Sequence, residues 1–130
     1  MSVHLIIMTH GKIGQALLAA TTHTIGQLPI PTTTLSVHRD SDAQKIKEQL
    51  QQLLVQLNCP GGILILTDLY GATPCNIARN FAKQDDVRVV SGINLPMLMK
   101  VMNYPQLSLN ELVLKATSGG AEGIVECESN

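Results

Sequence analysis

The chain has 130 residues, of which 45% are hydrophobic and 15% charged, and its formal net charge is −1. This balance is typical of a folded globular domain and excludes a disordered chain. The near-neutral charge and the lack of a basic cluster give no basis for nucleic-acid binding.

No apolar run approaches the roughly 20 residues that span a bilayer, and the N-terminus does not resemble a signal peptide. Three widely spaced cysteines without a C-x-x-C motif favour a reducing, cytoplasmic location.

Strand and helix patterns alternate along the first half of the chain. The apolar run at 3–8 predicts a strand buried on both faces, and apolar residues at helical spacing predict a helix over 12–25. The β-branched segment 32–38 predicts a second strand. Residues 41–44, SDAQ, have the spacing of a capping box, and we expect an amphipathic helix from there to Leu57.

The second half continues the alternation after the Pro-Gly-Gly break at 60–62. Thr73 and Pro74 are typical of an N-cap and a first helical residue. Gly119 and Gly120 predict the end of a helix that a second capping box, SLNE, opens at 108–111. The remaining predicted strands are 63–67, 87–92 and 123–128, and the helices are 73–83, 95–102 and 108–117.

This alternation predicts an α/β fold with an open, mainly parallel sheet and helices on both faces, formed as one domain over residues 1–130. Ligands of such sheets bind outside the carboxyl ends of the strands, where the strand order reverses. If the order is 2-1-3-4, strands one and three are neighbours. The loops 9–11 and 67–76 would then face each other at that point.

Those two loops carry residues suited to phosphoryl chemistry. Asp68 is placed to bond one ring nitrogen of His10, which fixes the tautomer and leaves the other nitrogen nucleophilic. Gly71 and Ala72 allow the backbone to approach a ligand, and the N–H groups of a helix beginning at Thr73 favour an anion. Taken singly, these residues also fit ordinary turns and helix caps. Their combination predicts reversible phosphorylation of His10.

The other histidines and cysteines give weaker signals. His4, His23 and His38 have no metal-ligand spacing, and we expect neither a metal site nor a cofactor. Cys75 falls in the first turn of a predicted helix, where a thiolate is favoured, so a redox role stays open.

Three segments together resemble the IIA component of the mannose/fructose-type sugar phosphotransferase system (PTS). They are THG at 9–11, TDLYGATPCN at 67–76 and SGINLPM at 91–97, and their order and spacing match across essentially the whole chain. The resemblance implies that His10 accepts a phosphoryl group from the phosphocarrier HPr and passes it to a histidine of a IIB component. Asp68 matches the acidic partner of the active histidine.

The resemblance also assigns roles around this pair. Tyr70 matches a bulky, usually aromatic position beside the phosphoryl group, and residues 71–73 match the loop that closes around it. The implied phosphoryl-binding residues are Gly11, Tyr70, Gly71, Ala72 and Thr73, and the implied partner surface comprises Thr9, Asn94, Pro96 and Met97. The family often has a second glycine where this chain has Ala72, and alanine restricts φ there.

The family fold implies a sheet of order 2-1-3-4, completed by an antiparallel C-terminal strand that is exchanged across a homodimer. This would account for the isolated strand pattern at 123–128. We expect IIB on a separate chain, and contact with the membrane only indirectly, through the IIC and IID components.

Two alternatives to sugar transport share part of this pattern. A stand-alone regulatory phosphocarrier would use the same site, but its phosphorylation state would control a partner protein instead of sugar uptake. A histidine phosphatase also places a histidine after its first strand, but it needs an arginine immediately before that histidine. Here Thr9 precedes His10, and the first arginine is Arg39.

Overall fold

The computed structural model describes residues 2–129, which form four parallel strands with helices on both faces of the sheet. The strands are β1 (His4–His10), β2 (Thr32–Val37), β3 (Ile63–Thr67) and β4 (Val87–Val90). Their order in the sheet is β2-β1-β3-β4, which confirms the predicted order. The helices are α1 (Ile13–Ile25), α2 (Ala43–Leu57), α3 (Thr73–Arg79), α4 (Leu95–Met102) and α5 (Leu109–Glu122). No helix within residues 2–129 has the length and apolar character needed to cross a bilayer.

Two hydrophobic cores lie on opposite faces of the sheet, because successive side chains of a strand point to opposite sides. Leu5 and Ile7 of β1 belong to the core formed with α4 and α5. Ile6 and Met8 belong to the core formed with α2 and α3. Burial on both faces explains why β1 is apolar from Leu5 to Met8 and β3 from Ile63 to Leu66. It also fixes the strands rigidly beneath the residues that follow their carboxyl ends.

Two helices begin one residue away from their predicted caps. Asp42, not Ser41, caps α2, and its Oδ1 accepts the N–H of Gln44 at 2.9 Å. The hydroxyl of Ser41 instead accepts the N–H of His38 at 2.9 Å. In α3, Ala72 is the N-cap and Thr73 is already helical, and the helix ends at Arg79 instead of near residue 83.

The prediction that Gly119 and Gly120 end the last helix is wrong. The capping box of Ser108 and Glu111 opens α5 as predicted, but the helix continues to Glu122. A Cβ atom on Gly119 would lie 2.5 Å from Cβ of Lys100 in α4. These glycines therefore allow two helices to pack closely, which is a second use of glycine that sequence alone does not distinguish from termination.

Gly119→Ala is accordingly expected to destabilise the protein by about 1–3 kcal/mol, because the clash involves the stem of Lys100 rather than a movable side-chain end. Helix propensity alone would favour alanine by about 1 kcal/mol. Urea unfolding of Gly119→Ala beside Ala121→Gly, an exposed position of the same helix, separates the two effects. A stabilised Gly119→Ala would show that the helices do not pack this closely.

The predicted fifth strand at 123–128 does not form within the single chain. Gly123 caps α5, and residues 124–129 are exposed and pair with no strand of the described residues. Ile124 is 79% exposed and Val125 69% exposed, although both are suited to a sheet. Exchange of this segment with a second copy stays a prediction.

Candidate active site

His10 is the last residue of β1, and the chain around it is held on both sides. In the parallel register it lies opposite Val37 of β2, and the N–H of Gly11 donates to the carbonyl of Val37 at 2.8 Å. Gly11 adopts φ +49°, a left-handed conformation that glycine takes readily. The hydroxyl of Thr9 accepts the N–H of Gly14 at 2.8 Å and so fixes the start of α1. The backbone is rigid, yet the imidazole is 45% exposed.

Asp68 follows β3 and meets His10 across the sheet, 58 residues away in sequence. Its Oδ2 lies 2.8 Å from Nδ1 of His10 and also accepts the backbone N–H of His10 at 3.1 Å. The Asp68 side chain is only 11% exposed. The expected contact between the two side chains is therefore present, and the second hydrogen bond fixes the carboxylate itself.

This contact determines the state of the imidazole. A carboxylate accepts hydrogen bonds, so Nδ1 of neutral His10 carries the proton. The lone pair of the ring is then on Nε2, at the opposite side from Asp68. The pair therefore leaves a nucleophilic nitrogen on an imidazole that is 45% exposed.

Several effects act on the pKa of Asp68. Burial opposes ionisation, but the hydrogen bonds from the ring and backbone of His10, with the charge of His10, outweigh it. The pKa of Asp68 is consequently lowered from its ordinary value, and the group is a carboxylate at neutral pH. Within the described residues, its Oδ1 is buried without a hydrogen-bond partner, as is Oγ1 of Thr67.

The lowered pKa predicts how stability changes with pH. A group whose pKa is depressed by folding stabilises the protein above its unfolded pKa, and this contribution is lost as pH falls through the folded pKa. The free energy of unfolding of wild type should exceed that of Asp68→Asn by about 1 kcal/mol at neutral pH. The difference should shrink on acidification below about pH 4. Urea titrations with exposed Asp40→Asn as control measure this; a gap that widens in acid contradicts the assignment.

The loop after Asp68 accommodates alanine without strain. Gly71 takes the positive φ of +81°, whereas Ala72 has φ −82° and ψ 173°, which any residue adopts. The side-chain amide of Asn76 donates to the carbonyl of Gly71 at 2.8 Å, and the N–H of Ala72 donates to the carbonyl of Leu69 at 3.2 Å. The departure from a second glycine therefore leaves the observed loop conformation available.

A cleft of about 430 Å³ opens beside His10. Of the predicted phosphoryl-binding residues, Gly11 and Thr73 line it. Tyr70, Gly71 and Ala72 do not line it; Tyr70 is 72% exposed, and its ring centre lies 5.7 Å from the guanidinium carbon of Arg79. The full lining comprises His10, Gly11, Val37, His38, Arg39, Ser41 and Thr73.

Four of these lining residues were not predicted from sequence: Val37 at the end of β2, and three residues of the loop after it. His38, Arg39 and Ser41 belong to the loop that follows β2. Since β2 is the other neighbour of β1, its carboxyl end reaches the same edge of the sheet as His10. The order 2-1-3-4 therefore also predicts that the loop after β2 borders the site, as the loops after β1 and β3 do.

The predicted partner surface is only partly a surface. Asn94 caps α4, where its Oδ1 accepts the N–H of Met97 at 2.9 Å and its Nδ2 donates to the carbonyl of Gly120 at 3.0 Å. Pro96 is exposed. Met97 is 3% exposed and Thr9 2% exposed, so the prediction of these two as surface residues is wrong. The side chains of Met97 and Thr9 pack into the interior of the protein instead.

Two further side chains have structural roles. Cys75 is 2% exposed, so its thiol faces the core and not the cleft. Nε2 of His4 lies 2.9 Å from the hydroxyl of Thr33 on the neighbouring strand. Partial burial lowers the pKa of His4. Neither residue lines the cleft beside His10.

The known proteins with related sequences are components of the sugar phosphotransferase system. Residues 4–117 match the family model EIIA-man, described as "PTS system fructose IIA component". The mannose-specific EIIAB component of Escherichia coli K12 is 28% identical over 127 residues, which are 95% of this chain and 39% of that protein. The fructose-specific EIIA component of Bacillus subtilis is 34% identical over 79 residues, 58% of this chain and 54% of that protein. The chain thus spans well under half of the E. coli relative.

Solved structures agree over nearly the whole chain. The mannose/sorbose-specific IIA subunit from Enterococcus faecalis superposes with a TM-score of 0.89 at 29% identity, covering 100% of this chain and 98% of that one. An EIIA component from Streptococcus agalactiae gives 0.84 at 26% identity, covering 95% and 96%. With the family model matching residues 4–117, the chain belongs to the mannose/fructose family of phosphotransferase-system IIA components.

Proposed function

We propose that this protein is a phosphoryl carrier that accepts a phosphoryl group from phospho-HPr on Nε2 of His10 and passes it to a histidine of a IIB component. The observation that carries the proposal is the 2.8 Å contact between Nδ1 of His10 and Asp68, which leaves the lone pair on Nε2 of a ring that is 45% exposed. Membership of the IIA family supports the same role.

The proposed transfer needs no proton to leave His10. The Nε2 lone pair attacks phosphorus, a new P–N bond forms, and the bond between phosphorus and its donor breaks with its electron pair returning to the donor. Because Nδ1 keeps its proton, the phosphorylated ring carries positive charge, which the Asp68 carboxylate stabilises at 2.8 Å. Transfer to IIB is the same displacement with His10 as the leaving group.

Phosphorylation with purified components tests this function. With phosphoenolpyruvate, enzyme I and HPr, we expect one acid-labile, alkali-stable phosphate per chain, and no label when HPr is omitted. A IIB domain should then discharge the label. No incorporation in the presence of phospho-HPr would overturn the proposal, and turnover of a phosphomonoester by the protein alone would indicate a phosphatase instead. Label that IIB cannot discharge would favour the regulatory carrier.

We also propose that residues 123–128 complete the sheet of a second copy in a homodimer. The sheet ends at β2 and β4 as open edges within the described residues, and the exposed Ile124 and Val125 lie in an unpaired segment. Such a segment can pair with an edge strand of another copy. Light scattering should give twice the mass of one chain, and a chain ending at Glu122 should give the monomer. A dimeric truncated chain would exclude exchange of this segment.

A further inference from the structure

The loop after β2 brings a cation to the cleft of His10. Val37 lies opposite His10 in the register, so His38 and Arg39 follow at the level where the imidazole is exposed. Two hydrogen bonds close the turn: the N–H of His38 donates to Oγ of Ser41 at 2.9 Å, and the N–H of Ser41 donates to the carbonyl of His38 at 3.0 Å. Arg39 therefore lines the cleft from a turn of defined shape.

Within residues 2–129, the guanidinium of Arg39 forms no ion pair with another side chain. Among residues 2–129, the ion pair that forms is that of His10 with Asp68, and none involves Arg39. Asp42 uses its carboxylate to cap α2, where Oδ1 accepts the N–H of Gln44 at 2.9 Å. Asp40 is the adjacent acidic group, and it is exposed. Arg39 lines the cleft beside His10 without an ion-pair partner, so its guanidinium is available to bind a ligand there.

The negative charge around His10 indicates which ligand the Arg39 guanidinium would bind. Before transfer, His10 at the cleft already contacts the Asp68 carboxylate at 2.8 Å, and that group is ionised at neutral pH. A phosphoryl group on His10 adds about two further negative charges beside it. Arginine stays protonated at all accessible pH values, and its planar fork matches two phosphoryl oxygens. Thr73, at the start of α3, lines the same cleft.

We propose that Arg39 binds the phosphoryl oxygens while the group is on His10 and thereby stabilises both the transfer transition state and the phosphorylated protein. This inference rests on the proposed function, since it names the residue that holds the group which His10 accepts. It makes Arg39 a direct contact of the phosphoryl group, and not simply a charge that attracts protein partners.

A small phosphoryl donor separates these two roles, because it requires no protein docking. Wild type, Arg39→Ala and Arg39→Lys are incubated with phosphoramidate, and phosphate on His10 is followed by intact mass spectrometry and peptide mapping. Arg88→Ala is the matched control: Arg88 pairs with Leu64, which pairs with Leu5, five residues before His10, roughly 17 Å along the strands. Circular dichroism confirms that each variant is folded.

We expect Arg39→Ala to acquire phosphate about 10- to 100-fold more slowly than wild type and to lose it faster in the absence of an acceptor. Arg39→Lys should be intermediate, because it keeps the charge and loses the fork. Arg88→Ala should match wild type. A folded Arg39→Ala that equals wild type with phosphoramidate overturns the inference, including the case in which it is slow only with phospho-HPr. If wild-type His10 takes phosphate from neither donor, the proposed function itself fails, and the inference with it.

Discussion

Replacing His10 by alanine is expected to abolish phosphate incorporation from phospho-HPr while leaving the protein folded. The imidazole is 45% exposed, so its removal opens no cavity in either core. What it removes is Nε2, the nucleophile that Asp68 orients. Quantitative phosphate labelling measures the result, and thermal unfolding verifies the fold.

His38→Ala is the matched control for this variant. His38 lines the same cleft and also carries an imidazole, but it has no carboxylate bonded to its ring within the described residues. His38→Ala should therefore keep one phosphate per chain. Full labelling of His10→Ala, or loss of the label in His38→Ala alone, would show that the acceptor is a different residue.

Asp68→Asn is expected to slow transfer from phospho-HPr by about 100-fold or more while His10 remains the acceptor. An amide is neutral and cannot balance the positive charge that develops on the ring. Its N–H₂ group can also donate to Nδ1, which favours the tautomer with the proton on Nε2 and removes the nucleophile. The structural reason for the large effect is that Oδ2 contacts both the ring and the backbone of His10.

Rapid quench with phospho-HPr measures this rate, and Asp40→Asn controls for the loss of one negative charge on the same edge of the protein. Asp40 is exposed and forms no ion pair within residues 2–129, so its variant should transfer within about twofold of wild type. An Asp68→Asn rate similar to that of Asp40→Asn would mean that the carboxylate holds the loop but does not assist the reaction.

The features predicted well from sequence are those that depend on a regular pattern. Segment 63–67 is β3 with its predicted bounds, because a strand buried on both faces is apolar along most of its length, here Ile63–Leu66. The alternation of strands and helices predicted a parallel sheet. In such a sheet the carboxyl ends of all strands lie along the same edge. From this rule we predicted that His10 and Asp68 lie close together, although 58 residues separate them in sequence.

The features missed are those where one residue type has two physical uses. Gly119 fits a helix end as well as a close helix contact, and only its neighbour Lys100 shows which applies. Ser41 and Asp42 both suit an N-cap, so sequence did not determine which of them holds α2. Thr9 is polar but buried, because its hydroxyl accepts the N–H of Gly14.

The predicted consequence of Ala72 shows a different limit. Sequence indicated that alanine narrows the conformations of the loop, but not which conformation the loop needs. In the structure the left-handed residue is Gly71, and Ala72 lies in an extended region open to all residues. Alanine at this position therefore leaves the observed backbone of the loop available.

The most direct test of the account is the identity of the phosphorylated nitrogen. With 15N-labelled histidine, nitrogen–proton correlation spectra of the phosphorylated protein distinguish phosphate on Nε2 from phosphate on Nδ1. Because Asp68 occupies Nδ1 at 2.8 Å, phosphate is expected on Nε2 of His10, with Nδ1 still protonated. Phosphate on Nδ1 of His10, or on any other histidine, would contradict the account.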